Sequence, residues 1–440
     1  MAFIDGSVVN VALPALAIDL HARPSSLPWA INAYLLPLGA LMLLAGGLGD
    51  HFGRRRLFLV GLVTFTLASI MCAASPSLPW LLVARGIQGL GAALLMPNSL
   101  AILGSEFSGE ARGRAIGTWA AVGALAGALG PVIGGWLVDT AGWRPIFLLN
   151  VPVAIAAGFL AWKYLTDRGA ASDLRPLDSV GAGLSTVALG LLTWALTEAS
   201  ESTTASELLW IVALAGTAIL GGFLWHERRL QDRALMPLAM FAVRTFAGLN
   251  LLTFFLYGSM GGLVVLLPFY LIQIARWSAV AAGAVLLPVP IVIAVGSRLM
   301  GRMASSRGAR MPLMLGCGLV GVGLALLVRV GTGTISYWAD VLPPTLLVAL
   351  GMGACVAPLT TGVMGTVQAE RMGIASGINN AVARIAGLIA TALLGFVFAR
   401  QESAAVFLVG FRAAAMIGAT SALVAGACAL LLVRSEPVSS

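Results

Sequence analysis

Charge is what this sequence has least of: Asp, Glu, Lys and Arg make up only 10% of its 440 residues, against 59% hydrophobic residues. A soluble domain of this size needs far more charge to cover its surface. Histidine is nearly absent. His21, His51 and His226 are the only three, all expected in loops, and no metal cluster can be assembled from them. The four cysteines, Cys72, Cys317, Cys355 and Cys428, lie inside apolar runs without a CxxC pair, which reads as small packing residues and not as a disulfide framework. No GxxxxGK[S/T] occurs, and no polar stretch is long enough for a nucleotide-binding domain, so a primary pump is excluded. Neither a nucleophile constellation nor a cofactor motif is visible, which argues against an enzyme. Strand-period alternation is missing, which removes a transmembrane β-barrel.

Apolar blocks of about 20 residues take the place of all these, each long enough to cross about 30 Å of hydrocarbon as a helix. Breaking the chain at polar and Pro/Gly-rich points predicts fourteen spans: 1–18, 27–48, 57–75, 79–104, 115–138, 146–165, 179–198, 208–225, 246–273, 279–299, 312–330, 341–367, 373–398 and 405–433. The expected fold class is therefore an all-α integral membrane protein. Span 1 begins at Met1 with no polar lead and carries Asp5 and Asn10, so it reads as an incomplete first helix, short by roughly 5–10 residues. The net charge of +8 does not indicate nucleic-acid binding, because the basic residues sit in short loops. Of the 26, eighteen fall on the side of the 49–56 loop, six on the other, and Arg85 and Arg384 within spans. The positive-inside rule then places that loop and both termini in the cytoplasm, in the plasma (inner) membrane.

The chain also repeats itself. Gly46-x-Leu48-Gly49-Asp50-x-x-Gly53-x-Arg55 recurs 255 residues later as Gly301-x-Met303-Ala304-Ser305-x-x-Gly308-x-Arg310. Glu110-x-x-Gly113-x-Ala115-x-Gly117 recurs as Glu370-x-x-Gly373-x-Ala375-x-Gly377, and Leu81–Gly86 as Leu346–Gly351. Matches in the same order predict two related six-helix bundles, 1–165 and 246–440, with two additional helices and their cytoplasmic loops in 166–245. Paired bundles rocking about a midplane site are the architecture of secondary transporters. A channel, by contrast, needs a repeated pore-lining polar set.

Several residues carry candidate chemistry. Asp5 is a carboxyl expected deep in a span; alternating exposure to the two sides lets such a group load and release a proton, and its charge can meet a cationic substrate. Arg85, about six residues or roughly 9 Å into its span, needs a cavity or a partner, and Gln88 lies one turn away. Counted depths put Asp5 about 20 Å down, so direct pairing with Arg85 is not expected. Gly46 and Gly53 permit a tight turn between spans 2 and 3, where Asp50, Arg54 and Arg55 are candidates for a latch; the arginines serve equally as lipid-contacting anchors. Gly123, Gly127, Gly130 and Gly134 recur at intervals of 4, 3 and 4, one helical face suited to close backbone approach, with Pro131 removing the hydrogen bond to residue 127 and Gly135 following. Asn10, Trp29, Tyr34, Asn98, Tyr257 and Arg384 are candidates for an aromatic-polar substrate cavity.

Gly46-Gly47-Leu48-Gly49-Asp50-His51-Phe52-Gly53-Arg54-Arg55-Arg56, Arg85-Gly86-Ile87-Gln88-Gly89-Leu90-Gly91, Gly130-Pro131-Val132-Ile133-Gly134-Gly135 and Asp5-Gly6-Ser7-Val8-Val9-Asn10-Val11-Ala12-Leu13-Pro14 together resemble the major facilitator superfamily. Specifically they are similar to its fourteen-helix drug:proton antiporter family, over essentially the whole chain. Trp143-Arg144-Pro145-Ile146-Phe147-Leu148-Leu149-Asn150-Val151-Pro152 adds to this. His51 replaces a usual Arg, and Pro145 a usual Trp. The resemblance implies a monomeric bacterial exporter of drugs or antibiotics in exchange for protons, with Arg85 and Gln88 in proton coupling, 127–135 as the antiporter motif, and no cofactor besides the proton. Export of an endogenous metabolite, such as a siderophore or self-made antibiotic, shares every motif. A non-transporting sensor or an inactive truncated chain is the alternative of another class.

Overall fold

The structure, a computed structural model, describes residues 1–107, 109–165, 178–201, 207–231, 234–331, 335–367, 372–398 and 403–433. Arg168, Arg175, Arg233, Arg371, Arg400 and Arg434 from the charge count, and Glu370 of the repeat, lie outside them. The described residues are helices and their connections, without a strand among them. Twelve of the described helices are long and apolar enough to cross a membrane. The other two expected spans are also helical: residues Pro28–Phe52, and Gly109–Ala141 with its apolar stretch Leu125–Ala141.

Contacts divide the chain into two units, Met1–Leu235 with Ser278–Gly283, and Met236–Trp277 with Ala284–Ser440. Unit 1 contains α1 (Ala2–Asp19), α2 (Pro28–Phe52), α3 (Arg54–Ala73), α4 (Leu78–Glu106), α5 (Gly109–Ala141), the short α6 (Pro145–Leu148), α7 (Asn150–Tyr164), α8 (Ser179–Glu201) and α9 (Glu207–Leu230). Here α4 packs on α2 and α3, α1 lies along α5, and α8 and α9 pair with each other, α8 resting on α2. Without a hydrophobic force between helices in lipid, close backbone approach has to hold such a bundle together, and glycine supplies it. A Cβ on Gly91 would come within 2.6 Å of the Phe65 backbone, and one on Gly61 within 2.8 Å of Leu94. These positions weld α3 to α4.

Unit 2 contains α10 (Arg244–Gln273), the end of the short α11 (Ala279–Ala284), α12 (Pro288–Arg307), α13 (Arg310–Leu326), α14 (Leu342–Gly365), α15 (Met372–Leu393), the short α16 (Gly395–Phe398) and α17 (Ala404–Leu432). Its core is sealed by Gly316 and Gly351, each facing the other's backbone, and by an aromatic cluster in which the Phe269 ring lies 4.7 Å from Phe398 and 5.6 Å from Phe407. All four cysteines are free and buried.

The sequence repeat has a backbone counterpart. Gly53 between α2 and α3 has φ +94°, and Gly308 between α12 and α13 has φ +85°. Both turns need the left-handed region that a side chain resists, which is why glycine stands at both positions. His51 and His226, expected in loops, belong instead to the last turns of α2 and α9, because those helices continue past their apolar runs into the polar flank.

At the start of α8 the Asp178 carboxylate accepts hydrogen bonds from the Gly181 amide at 2.7 Å and from the His226 ring at 2.9 Å. Burial alone would raise this carboxyl, but the bonds from Gly181, His226 and Glu227 outweigh it and hold it below the usual carboxylate range. A depressed carboxyl stabilises the fold above its ordinary titration range and loses that contribution as pH falls through its lowered value. Thermal unfolding should therefore show a neutral-to-acid decrease that Asp178→Asn diminishes; an unchanged pH dependence in the variant would show that this cap is irrelevant to α8–α9 pairing.

Candidate functional site: a buried charge network in unit 1

The centre of unit 1 holds an ion pair. The Arg85 guanidinium donates from Nη1 to Asp5 Oδ2 at 2.5 Å, and both side chains are almost fully buried, at 1% and 0% relative exposure. Neutral groups surround them. Gln88 Nε2 donates to Asp5 Oδ1 at 2.8 Å and to Ser69 Oγ at 2.9 Å, while its Oε1 accepts from Arg85 at 2.7 Å. Asn150 Nδ2 reaches Asp5 Oδ1 at 3.1 Å and Ser69 Oγ at 3.3 Å. Arg85 Nε donates to the Ala30 carbonyl at 3.0 Å. The guanidinium carbon lies 4.3 Å above the Tyr34 ring, a cation–π contact. Helices α1, α2, α4 and α7 thus each send one group or more to a single carboxylate–guanidinium pair, and α3 joins them through Ser69, which Gln88 and Asn150 share.

The pairing departs from the depth count, which separated Asp5 and Arg85. Counting residues from helix ends assumes helices parallel to the membrane normal and level at their ends. Tilt and stagger break both assumptions, and the long arginine side chain spans the remainder. Tyr34 is buried beneath Arg85, with its hydroxyl donating to the Ala2 carbonyl at 3.3 Å. Asn98 is buried as well, donating to the carbonyls of Ala45 at 3.2 Å and Leu94 at 2.8 Å. It ties α4 to α2 where Gly49 leaves room for an amide. Asn10 is likewise buried in α1, because its face of α1 is turned into the bundle. Trp29, Tyr257 and Arg384 are half-buried. Ser69 and Asn150 escaped sequence reasoning. Asn150 stands out as an amide in the apolar run after Trp143-Arg144, whereas a serine in a membrane helix carries no signal.

The glycine face of α5 explains how Asp5 is held in place. Gly130 and Gly134 face Ser7, Ile4 and Val8 of α1, and Gly123 meets the Phe3 ring. Any side chain at these positions would push α1 away from α5, and Asp5 with it. Gly135 turns the other way, onto the Ala279 carbonyl, and Gly283 in turn faces the Pro131 carbonyl. One helical turn further on, Asp139 accepts from the Ala279 and Val280 amides at 3.1 and 3.0 Å.

At the α2–α3 turn, Arg54 Nη1 donates to the Ala101 carbonyl at 3.2 Å and Arg55 Nη2 to the Trp162 carbonyl at 3.1 Å. Both arginines fasten α3 to the carbonyl-rich ends of neighbouring helices, a favourable place for a cation. Gly46 packs near Pro97. The Asp50 side chain lies outside the described residues. Beside Phe3, a cavity of about 550 Å³ opens between α1, α4 and α5, lined among others by Leu103, Phe107, Thr118, Trp119 and Val122.

A chain of membrane-crossing helices, with an ion pair buried at the centre of unit 1, defines a multi-pass membrane transporter and not an enzyme. The chain belongs to the Major Facilitator Superfamily, whose family profile matches residues 1–391. Its curated relatives include the multidrug resistance protein Stp of Mycobacterium tuberculosis, 34% identical over 409 residues covering 92% of this chain and 74% of that protein. The puromycin resistance protein pur8 of Streptomyces alboniger is 36% identical over 399 residues, covering 90% of this chain and 78% of its own. Among solved structures, a bacterial homologue of the human lysosomal transporter Spinster superposes with a TM-score of 0.69 at 15% identity, covering 99% of this chain and 94% of that one. A peptide transporter POT bound to sulfate superposes at 0.66 with 17% identity, covering 97% and 92%. At such identities these two establish the fold alone.

Proposed function

We propose that this protein exports small amphipathic or hydrophobic compounds, drugs and antibiotics among them, in exchange for protons and by alternating access across a bacterial inner membrane. The observation that carries this reading is the Asp5–Arg85 pair. A carboxylate buried against a guanidinium is held only as long as both are charged; a proton delivered to Asp5 removes the attraction and leaves Arg85 to find other acceptors. Gln88 and Asn150 offer donors to Asp5 while it is ionised, so the loaded and unloaded states differ in several hydrogen bonds at once. That difference is what a proton needs in order to bias a two-state bundle.

The apolar cavity beside Phe3 and Trp119 lies within two residues of Asp5 on α1, which suits a flat apolar cargo close to the coupling carboxyl. The similarity to drug-resistance relatives supports export as the direction. In this reading the chain crosses the membrane fourteen times, with the Arg54 turn and both termini cytoplasmic, and it works as a monomer.

Inverted membrane vesicles loaded with this chain provide the test. Accumulation of a lipophilic dye should begin when a proton gradient, acid inside, is imposed, and should stop when a protonophore collapses it. Accumulation indifferent to the protonophore would end the proton-coupled reading.

A further inference from the structure

Four side chains at the centre of unit 1 close a ring of hydrogen bonds, and all four are buried. Gln88 Nε2 and Asn150 Nδ2 each donate to Asp5 Oδ1, at 2.8 and 3.1 Å, and each also donates to Ser69 Oγ, at 2.9 and 3.3 Å. An amide nitrogen has two hydrogens, and both amides use both of theirs here. The Ser69 hydroxyl spends its own hydrogen on the Phe65 carbonyl at 2.8 Å, so its oxygen faces the amides as an acceptor. Such a ring suits an ionised Asp5, which accepts and has nothing to donate.

A proton arriving at this carboxylate meets a donor on either oxygen, and one donor has to yield. Oδ2 faces the Arg85 guanidinium at 2.5 Å, and a guanidinium has no acceptor to offer in exchange. Gln88 is fixed from its other end. Turning it over would set its NH2 group against Arg85 Nη1, now 2.7 Å from Oε1, and would take away the acceptor to which Cys72 Sγ donates at 3.7 Å. For Asn150 both contacts run through Nδ2, and they are the longest in the ring. Turning this amide over puts Oδ1 against the same two neighbours. There it accepts from an Asp5 O–H and from the Ser69 hydroxyl, which only has to rotate away from Phe65. The bonds of Arg85 to Oδ2 and of Gln88 to Oδ1 survive the change. The titratable groups around Asp5 are Arg85 of α4, Cys72 of α3, Tyr34 of α2 under the guanidinium, and the amino group of Met1 one turn away on α1. Helix α5 turns glycines toward α1, and α6 has no titratable residue. None of these can replace Asn150 as an acceptor beside Oδ1 without breaking the ion pair or leaving its own partner.

We infer that Asn150 is the switch of the proton site: when Asp5 Oδ1 takes a proton from the acidic side, the Asn150 amide turns over to accept the new O–H, and it turns back when the proton leaves. That O–H bond is the only covalent change. Asn150 opens α7 directly after Leu149, where α6 ends, so the arrival of a proton on α1 is felt at the junction of two other helices. The inference rests on the proton-coupled reading given above and names the hydrogen bond that changes within it.

Infrared difference spectra of the purified full-length chain, acid minus neutral, read both groups. The parent should show a protonated-carboxyl band that Asp5→Asn removes, and with it a shifted side-chain amide band. Asn150→Leu should abolish the amide shift and move the carboxyl band to higher wavenumber, because the Asp5 O–H then lacks its acceptor. The same variant should export about tenfold more slowly at saturating cargo with an unchanged KM, the scale of one buried hydrogen bond lost. Asn150→Gln keeps the amide and should restore part of the rate. Heavy-isotope labelling of the asparagine carbonyls in the parent and in Asp5→Asn reads the amide shift without touching Asn150, and decides the matter if the leucine variant does not fold. A carboxyl band that stays in place in a folded Asn150→Leu, or an asparagine band that does not respond to acid in the labelled parent, would overturn the inference. Protonophore-sensitive accumulation of dye with an unmoved asparagine band would leave the export reading standing while this inference fails. Carboxyl and asparagine bands that change together, in a protein whose accumulation ignores the protonophore, would do the reverse.

Discussion

Asp5→Asn is expected to reduce proton-driven export to the level of vesicles lacking the protein, while the variant still inserts, purifies and unfolds cooperatively. Asparagine is nearly the same size and offers an acceptor where Gln88 Nε2 and Asn150 Nδ2 now donate at 2.8 and 3.1 Å, so α1 can keep its place on α5. It leaves Arg85 without its counter-charge, so the variant should be less stable than the parent by the cost of breaking the pair from one side, about 3–5 kcal/mol. What it lacks is a proton that can come off. Substrate binding in the absence of a gradient should therefore survive, and only its coupling to pH should disappear. Asp5→Glu retains the titrating group but is one methylene longer in a site with fixed partners, and should transport slowly. Undiminished exchange by the asparagine variant would remove Asp5 from the mechanism, whatever its contacts.

The second large effect concerns stability. Arg85→Met leaves a buried carboxylate facing only neutral donors, and breaking a buried pair from one side costs about 3–5 kcal/mol. Removing both charges, with Asp5→Leu and Arg85→Met together, should recover most of this loss, because no uncompensated charge remains and Gln88 and Asn150 still share Ser69. Neither variant should transport. Denaturant or thermal unfolding of the four members of this cycle measures the coupling directly. If the two single losses simply add in the double variant, the 2.5 Å contact contributes little, and the site is held by its neutral hydrogen bonds instead. Either outcome also bears on function: a pair that contributes strongly is a pair whose protonation can move helices.

The two tests divide the roles of the network. In the proposed export cycle Asp5 would carry the exchangeable proton and Arg85 would respond to its presence, while Gln88 and Asn150, themselves tied to Ser69, hold the carboxylate in one orientation. The α5 glycines act further out, since Gly130 and Gly134 set how closely α1 lies.

Much of this was legible in the residues alone, for definite reasons. Apolar runs of about 20 residues oblige a backbone in lipid to close its own hydrogen bonds, so helix positions follow from composition. The family follows from local motifs whose glycines and charges are contiguous, and the 4-3-4 glycine spacing on α5 marked a face for close approach before its partner, α1, was known. The chemistry of Asp5 and Arg85 was visible because charge is so scarce in this chain. What only the tertiary structure decided is which of these groups meet. Residue counts along separate helices cannot supply tilt or stagger, so they kept apart Asp5 and Arg85, which in fact touch. Burial is likewise a property of neighbours: adjoining helices cover Tyr34, Asn98 and Asn10, and Ser69 became part of the site only because α3 turns it toward Gln88 and Asn150.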